Sequence, residues 1–178
     1  EIKTSRAIAA QILRHRSFTF QEFSQRYAQA TELEPIQWRK QGKTNRQVGD
    51  ESVVLPSHLQ YAIDEAQRNT KAIYDQLINE GIAKETARMV LPLNTQTTIY
   101  MSGTIRSWIH YLQVRTGLDT QLEHRKIALK IKEILLQQLP ALSEVCEVTD
   151  TLALAKNKHP GIARCGALKP LRPFLPQI

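Results

Sequence analysis

Apolar residues spaced three or four positions apart recur along most of this chain, and this helical period constrains the fold more than any other feature. The clearest case begins at Ser57, which fits an N-cap with Gln60 as its capping-box partner, and it stops at Gly81. Further helices are predicted over residues 2–13, 84–91, 103–115 and 120–138. Pro92 and Pro140 end two of them, so the sequence predicts a helix-rich chain.

Two of these helices carry a well-defined apolar stripe. The residues expected to be buried are Ile105, Trp108, Ile109 and Leu112 on the helix at 103–115, and Ile127, Ile131, Ile134 and Leu135 on the helix at 120–138. Arg106 and His110 lie one turn apart on another face of the first of these helices, so two polar groups share one line.

Short β-branched and aromatic segments interrupt the helical pattern. Residues 17–24 alternate polar and aromatic side chains, which predicts an extended segment, either a strand or an ordered loop. Residues 97–101 predict a short strand or linker, whereas residues 34–51 are expected to form a surface excursion with few core contacts. A small β-sheet beside the helices makes the predicted fold class α+β.

The length of 178 residues fits one domain with a single core. Residues 1–140 carry the globular pattern. Beyond Leu139 lie five of the eight prolines, and no acidic residue follows Asp150. We therefore expect residues 141–178 to form a proline-rich, basic and partly disordered tail.

The charge balance favours anionic partners. Lys and Arg number 24 against 17 Asp and Glu, and the net charge of +7 suits nucleic acids, nucleotides and phosphorylated cofactors alike. No apolar run is long enough to cross a membrane and no signal-peptide pattern opens the chain, so we expect a cytoplasmic protein.

Several reaction classes find no motif in the sequence. There is no phosphate-binding P-loop, no GxGxxG, no HExxH and no GxSxG. Cys146 and Cys165 belong to no CxxC pair, so we expect ordinary reduced thiols and no metal site.

The strongest candidate for chemistry is the basic triplet Arg14-His15-Arg16 at the end of the first predicted helix. Two guanidinium groups and an imidazole suit a phosphate, a diphosphate or a carboxylate. Polar residues cluster just beyond it and alternate with phenylalanines: Thr19, Gln21, Glu22, Ser24, Gln25 and Arg26. By itself the triplet is more typical of a solvated face or a nucleic-acid patch, but such faces seldom carry so many aromatic residues.

Two arginines stand in apolar surroundings. Arg88 lies in the nearly apolar run 86–92, and Arg115 continues the buried stripe of its helix, so we expect both side chains to be buried at least in part. A buried arginine needs an anion or a hydrogen-bond acceptor. For Arg115 a salt bridge to Glu123 is, on the residues alone, slightly favoured over a bound ligand.

Arg14-His15-Arg16, seven further residues and Ser24 resemble the signature of the flavin-dependent thymidylate synthases, with Ser24-Gln25-Arg26-Tyr27 as its continuation. Four further blocks resemble the family in its order: 87–92, 106–110, 112–115 and 121–125. Asn45-Arg46-Gln47 also resembles a loop of some members. The resemblance spans residues 5–138.

The resemblance implies the fold of this family, assembled as a homotetramer with active sites between subunits. It implies that dTMP is formed from dUMP, with methylenetetrahydrofolate as the one-carbon donor and NADPH as the reductant through bound FAD. It makes Arg115 the catalytic residue, which stabilises negative charge on the uracil ring.

The resemblance also assigns binding roles. Flavin contacts fall to Arg14, His15, Arg16, Ser17, Thr19, Gln21, Glu22, Arg106 and His110. Contacts to dUMP fall to Gln11, Glu22, Ser24, Gln25, Arg26, Arg88 and Arg115, with Ser24, Gln25 and Arg26 reaching the phosphate from a neighbouring subunit.

The chain departs from the family pattern at three places. Gln21 replaces a common Asn, and Gly103-Thr104-Ile105 stands where many members have an Asn. The family's several tens of residues before the first helix are absent, which predicts an N-terminally truncated member. The alternative is a non-enzymatic RNA- or DNA-binding module, which would not need a buried Arg88 and Arg115. We expect the enzyme and no nucleic-acid partner.

Overall fold

The computed structural model of the protein describes residues 1–26, 32–43 and 48–143. The strands in these ranges are β1 (Ile2–Ser5), β2 (Thr19–Glu22), β3 (Arg39–Gln41), β4 (Gly49–Ser52) and β5 (Gln96–Ser102). The helices are α1 (Arg6–Ile12), α2 (Ser57–Asn79), α3 (Lys84–Ala87), α4 (Ile105–Arg115) and α5 (Leu122–Gln138), with 3₁₀ turns at Arg88–Val90 and Pro140–Leu142. The predicted helix-rich α+β class is confirmed. Residues 144–178 of the predicted tail and the Asn45-Arg46-Gln47 loop lie outside the described residues.

A three-stranded antiparallel sheet in the order β1-β5-β2 joins the start of the chain to its middle. Ile99 of β5 lies opposite Ile2 of β1 on one side and opposite Glu22 of β2 on the other. The segments at 17–24 and 97–101 therefore both contain strands, which decides between the alternatives that the sequence left open.

The helix predicted over residues 2–13 is wrong at its start, because residues 2–5 form β1. Ile2 and Thr4 are buried and Lys3 is exposed, a period of two that pairing with β5 satisfies. Ser5 then caps α1, since its side chain accepts a hydrogen bond from the Ile8 N–H at 3.4 Å. Four residues are too few for this period to be told from a helical one in the sequence.

Helices α1, α4 and α5 enclose two adjoining apolar clusters. One contains Ile2, Ile8, Ala9, Ile12 and Ile99, and the other contains Phe18, Tyr111, Leu112 and Ala128. Phe20, Met101 and Ile131 contact both. The core thus fixes the segment that follows α1 against α4 and α5.

The predicted apolar stripes are only partly correct. Ile105 is 47% exposed and Ile134 is 49% exposed, although both were expected to be buried. The buried side chains of α4 include Tyr111, and those of α5 are His124 and Ala128. The buried face of each helix therefore follows its packing partners rather than the most apolar line of its sequence.

The two ends of α2 differ in how well the sequence predicted them. Pro56 is the N-cap residue and no side chain caps the helix, so the proposed capping box at Ser57 and Gln60 is wrong. At the other end Gly81 adopts a φ of 77°, a left-handed conformation that glycine tolerates best, and it stops the helix as predicted.

Helix α2 has 23 residues, yet Tyr74 is its only buried side chain. Leu59, Tyr61 and Ile73 are 45%, 63% and 48% exposed, so much of the apolar face is uncovered in the single chain. Neither α2 nor any other helix within the described ranges is long and apolar enough to span a bilayer.

Strands β3 and β4 form a separate antiparallel pair in the segment expected to be a surface excursion. Arg39 Nη2 donates to the Glu123 carboxylate of α5 at 2.8 Å, and Lys126 Nζ donates to Gln37 Oε1 at 3.3 Å. None of its described residues belongs to the two apolar clusters, which confirms the expectation of few core contacts. Polar contacts attach this pair to the domain.

Candidate active site

The basic triplet divides into one inward and two outward side chains. It follows α1 in a turn in which the His15 N–H donates to the Ile12 carbonyl at 3.1 Å. The His15 side chain is half-buried, whereas Arg14 and Arg16 are exposed. The three residues therefore have different environments although they are consecutive in the chain.

His15 contacts Arg115 directly. Arg115 Nε donates to His15 Nε2 at 2.8 Å, which joins the signature triplet to the end of α4. The salt bridge from Arg115 to Glu123 is wrong, because Glu123 binds Arg39 instead. Burial raises the pKa of Glu123, but hydrogen bonds from Arg39, Gln121 and the main chain, together with the Arg39 charge, outweigh it and hold the pKa below its usual value. Glu123 thus leaves the Arg115 guanidinium available to a ligand.

The contact with Arg115 requires a neutral His15. Burial, the Arg115 charge and the nearby His110 lower the pKa of His15 to about 4. Because its Nε2 accepts from Arg115, the imidazole carries its proton on Nδ1. At neutral pH the inward residue of the triplet, His15, is therefore an uncharged hydrogen-bond acceptor for the permanently charged Arg115 guanidinium.

A buried polar network lies behind this pair. The ring of His15 is 4.9 Å from that of Tyr111 and 6.3 Å from that of His124. His124 is fully buried, and its Nε2 lies 3.1 Å from the Tyr111 hydroxyl. Its Nδ1 lies 3.3 Å from Gln11 Oε1, and Gln11 Nε2 donates to Gln121 Oε1 at 2.6 Å. We call these four residues, the buried Tyr111 and His124 and the half-buried Gln11 and Gln121, the buried chain.

Sequence reasoning found only Gln11 of the buried chain. Tyr111 and His124 come from different helices, so no local spacing relates them. The one signal was that two polar residues, Gln121 and His124, stand in a block that resembled the family. An unpaired polar group in the core costs about 1–3 kcal/mol, so these side chains would be poor core residues without each other.

A second group surrounds Glu22 at the end of β2. Arg6 Nη1 donates to Glu22 Oε1 at 3.4 Å and to Gln25 Oε1 at 3.2 Å, and the Thr97 hydroxyl donates to Glu22 Oε1 at 3.0 Å. Gln25 is only 2% exposed, and its Nε2 has no partner among the described residues. Arg6 and Thr97 were not predicted from the sequence. Arg6 begins α1 and Thr97 lies in β5, and only the packing of these elements brings both side chains to Glu22.

Arg26 and Arg88 meet at Glu85. Arg26 Nη2 lies 3.3 Å from the Glu85 carboxylate, and Arg88 Nε donates to the Glu85 main-chain carbonyl at 3.3 Å. The Ser24 hydroxyl accepts from the Arg26 N–H at 3.4 Å. The expectation that Arg88 is buried at least in part is confirmed, since its side chain is half-buried in the 3₁₀ turn that follows α3.

The remaining predicted residues have exposed side chains, and we call this set the basic face. Its members are Arg14, Arg16, Ser17, Thr19, Gln21, Arg106 and His110. Within the described ranges none of them makes a side-chain hydrogen bond. The register that sets Thr19 opposite Ser102 brings β2 beside the start of α4. The structure therefore places residues 14–21 and 106–110 near one another.

Gly103 and Thr104 explain one departure from the family pattern. A Cβ on Gly103 would lie 2.5 Å from Phe18 Cδ1, so the glycine lets the Phe18 ring pack against the start of α4. Thr104 caps this helix by accepting from the Ser107 N–H at 3.2 Å. The position that carries Asn in many relatives is occupied here by groups with structural roles.

The donors of the basic face fit a phosphate-bearing cofactor. Arg14, Arg16 and Arg106 present guanidinium groups that have no counter-ion among the described residues, and charge-assisted hydrogen bonds to phosphate are strong. No cluster of three or more His, Cys, Asp or Glu that could hold a metal ion occurs in the part of the chain that the structure describes.

Two surface cavities, of about 510 and 480 Å³, lie beside this site. The first lies between β1, α1 and α5, and the second lies against the β3–β4 pair. Both reach the buried chain only at Gln121, and neither is lined by the triplet or by Arg115. The basic face therefore lines neither of these two cavities.

Fold and site together define an α+β protein that presents arginines to a phosphorylated ligand. A family model described as "Thymidylate synthase complementing protein" matches residues 1–141. The chain is 47% identical over 150 residues to the probable flavin-dependent thymidylate synthase of Paramecium bursaria Chlorella virus 1, and 46% identical over 149 residues to that of Synechocystis sp.. Each match covers 83% of this chain and 69% of the relative.

The chain belongs to the family of flavin-dependent thymidylate synthases. A solved UMP/dUMP methylase, PolB from Streptomyces cacaoi bound with 5-Br dUMP, has a similar fold, with a TM-score of 0.66 and 23% sequence identity. That match covers 82% of this chain and 69% of the other. The family and enzyme class predicted from the sequence are confirmed, and the nucleic-acid-binding alternative loses its support.

Proposed function

We propose that this chain forms dTMP from dUMP in an FAD-dependent methyl transfer, with methylenetetrahydrofolate as the one-carbon donor and NADPH as the reductant. The observation that carries the proposal is the 2.8 Å hydrogen bond from Arg115 to His15, because it unites two motifs that are 100 residues apart into one site. FAD supplies the hydride chemistry when bound. The chain's own residues bind, orient and stabilise charge.

The basic face is the proposed flavin site. Arg14, Arg16 and Arg106 hold the cofactor phosphates, and Ser17, Thr19, Gln21 and His110 supply further hydrogen bonds. His15 and Glu22 are the other residues proposed to contact the flavin. His15 is neutral at physiological pH, so it accepts a hydrogen bond from Arg115 and would add no charge to a flavin site there.

Arg115 is the proposed catalytic residue. Its Nε is held by His15, while its two terminal nitrogens make no hydrogen bond to the described residues and can donate to the uracil ring. A preorganised cation at the ring edge stabilises the negative charge that develops as the ring is activated. Gln11 and Arg88 complete the dUMP contacts of this subunit.

Ser24 and Arg26 are proposed to reach the phosphate of a dUMP bound mainly by a neighbouring subunit of a homotetramer, whereas Gln25, which was expected to join them, is buried in this chain and accepts a hydrogen bond from Arg6. Arg26 is exposed and its charge is shared with Glu85. The uncovered apolar face of α2 supports self-association, since a face with Tyr61 63% exposed is costly to leave in water. A cytoplasmic location stays a prediction.

Absorbance spectroscopy tests the flavin part of this proposal. The purified chain, incubated with FAD and freed of excess cofactor, should show a flavin spectrum that NADPH bleaches under anaerobic conditions. Tritium release from [5-³H]dUMP in the presence of methylenetetrahydrofolate tests the methyl transfer. A colourless protein that releases no tritium would defeat the proposal for this chain.

A further inference from the structure

We propose that His124 is a positioning residue that fixes the orientation of the Gln11 amide toward dUMP, acting through the buried chain. The inference rests on the proposed function of Gln11 as a dUMP contact. His124 is fully buried, so any effect of its side chain on a ligand must pass through another residue.

With Gln11 Oε1 directed at His124, the donors and acceptors of the buried chain have one consistent arrangement. Gln11 Oε1 can only accept, so His124 carries its proton on Nδ1 and donates to it across 3.3 Å. In a neutral imidazole Nε2 is then an acceptor, and the Tyr111 hydroxyl donates to it across 3.1 Å. The direction of donation therefore runs from Tyr111 to His124 to Gln11 and on to Gln121 at 2.6 Å.

The surroundings of His124 keep the imidazole in this neutral form. Burial, the charge of Arg115 and the neighbouring His15 lower its pKa to about 4. A protonated ring would carry N–H groups on both sides and would leave the Tyr111 hydroxyl without its acceptor. Burial also raises the pKa of Tyr111, although the Arg115 charge opposes this, so the hydroxyl keeps its proton.

The consequence is a Gln11 amide held at both of its ends. Its oxygen accepts a hydrogen bond from the His124 Nδ1–H, and its nitrogen donates a hydrogen bond to Gln121. A 180° flip of the amide would break both hydrogen bonds. One N–H and one oxygen lone pair remain free, and their directions are set by the buried chain. An amide recognises a pyrimidine edge by the directions of its donor and acceptor groups. An amide that cannot flip therefore discriminates between pyrimidines better than a freely rotating one.

Substitutions at His124 and Tyr111 test the inference in the FAD-loaded full chain. His124→Leu removes both hydrogen bonds at similar volume and should raise KM for dUMP by about tenfold, while the rate of flavin reduction by NADPH alone changes less than twofold. His124→Asn restores a donor near Nδ1 and should recover most of the loss. Tyr111→Phe removes only the distant hydroxyl and should raise KM for dUMP by about threefold.

Leu135→Ala is the matched control, since it removes packing from the same helix against the cluster that contains Tyr111 but takes away no hydrogen bond of the buried chain. It should lower the melting temperature and leave KM for dUMP unchanged. If His124→Leu behaves like Leu135→Ala, with lower stability and an unchanged KM, His124 is an ordinary packing residue and the inference is wrong.

The ¹⁵N shifts of the His124 ring separate this inference from the proposed function. The inference predicts a protonated Nδ1 and an unprotonated Nε2 in the wild-type chain, whether or not dUMP is bound. A protonated Nε2 in a chain that binds dUMP would overturn the positioning role alone. The predicted tautomer in a chain that binds no dUMP would instead overturn the proposed function and remove the ligand that Gln11 is positioned for.

Discussion

Arg14 and His15 are neighbours in the chain, but they belong to regions of different character. His15 is packed against Tyr111 and bonded to Arg115, so its position and its charge are set by the fold. Arg14 is exposed, as are Arg16 and Arg106, and the described residues give these arginines no counter-ion. We call His15, Arg115 and the buried chain the inner region. This region is preorganised by the fold of the chain itself, whereas the side chains of the basic face need a ligand to order them.

Arg115→Ala should have the largest effect, because it removes the one cation that the inner region holds in place. We expect a loss of about 10²–10³-fold in kcat, in the range found when a preorganised donor is removed from an active site. Tritium release measures the loss, and the flavin spectrum should persist. Arg115→Lys keeps the charge but loses the planar fork, so it should recover little activity. Activity within a few-fold of wild type would show that the inner region has no catalytic part.

Arg14→Ala should weaken FAD binding and leave the inner region unchanged. A charge-assisted hydrogen bond is worth about 1.5–3 kcal/mol, which corresponds to a loss in affinity of about 10–150-fold. Titration with FAD at two salt concentrations measures it, and the salt dependence should fall with the lost charge. Lys130→Ala removes a cation already paired with Glu133 at 2.7 Å and serves as the control. Equal losses in both variants would contradict a specific basic face.

Gly103→Ala should disturb the boundary between the two regions. The added Cβ would lie 2.5 Å from the Phe18 ring, which packs on Trp108 and Tyr111 in the core. Overpacking of this kind costs about 1–3 kcal/mol of unfolding free energy. Thermal unfolding checks the cost, and Gly81→Ala, strained by φ rather than by contact, provides a comparison. An unchanged melting temperature for Gly103→Ala would mean that the ring moves freely.

A further expected effect is a pH dependence of stability that belongs to the inner region. Both His15 and His124 have a pKa of about 4, and both face Arg115 and each other, with His110 also acting on His15. The unfolded chain, with histidine pKa values near about 6.5, binds more protons between these limits. Stability should therefore be full above pH 6.5 and fall as the pH drops toward 4. Urea unfolding at several pH values gives the free energy of unfolding of the wild type and of His124→Leu. If this free energy falls equally steeply with decreasing pH in both, the result would argue against a neutral His124 imidazole.

The difference between the two regions also explains what could be read from the sequence. The basic triplet, Arg106 and Arg115 were visible because the order of their blocks resembled a family, and the helices after residue 56 were visible through their period. The buried chain was not, since Tyr111, His124 and Gln11 come together only when α4, α5 and α1 pack. A local pattern cannot report a contact between residues more than 100 positions apart.

Some errors have the same origin. Residues 2–5 form a strand because β5 is there to pair with them. Glu123 was predicted to pair with Arg115, but it pairs with Arg39 instead. Arg39 lies in a segment whose strands the sequence did not predict. Each case depends on a tertiary partner that the local sequence does not contain.

Titration of the FAD-loaded chain with dUMP tests most directly whether the two regions form one site. Because Arg115 touches His15 of the triplet, dUMP bound at Arg115 should perturb the flavin absorbance spectrum in the wild-type chain and should not do so in Arg115→Ala. If dUMP binds while the flavin spectrum stays unchanged, the basic face and the inner region are separate sites, and the account of a shared flavin and nucleotide site is wrong.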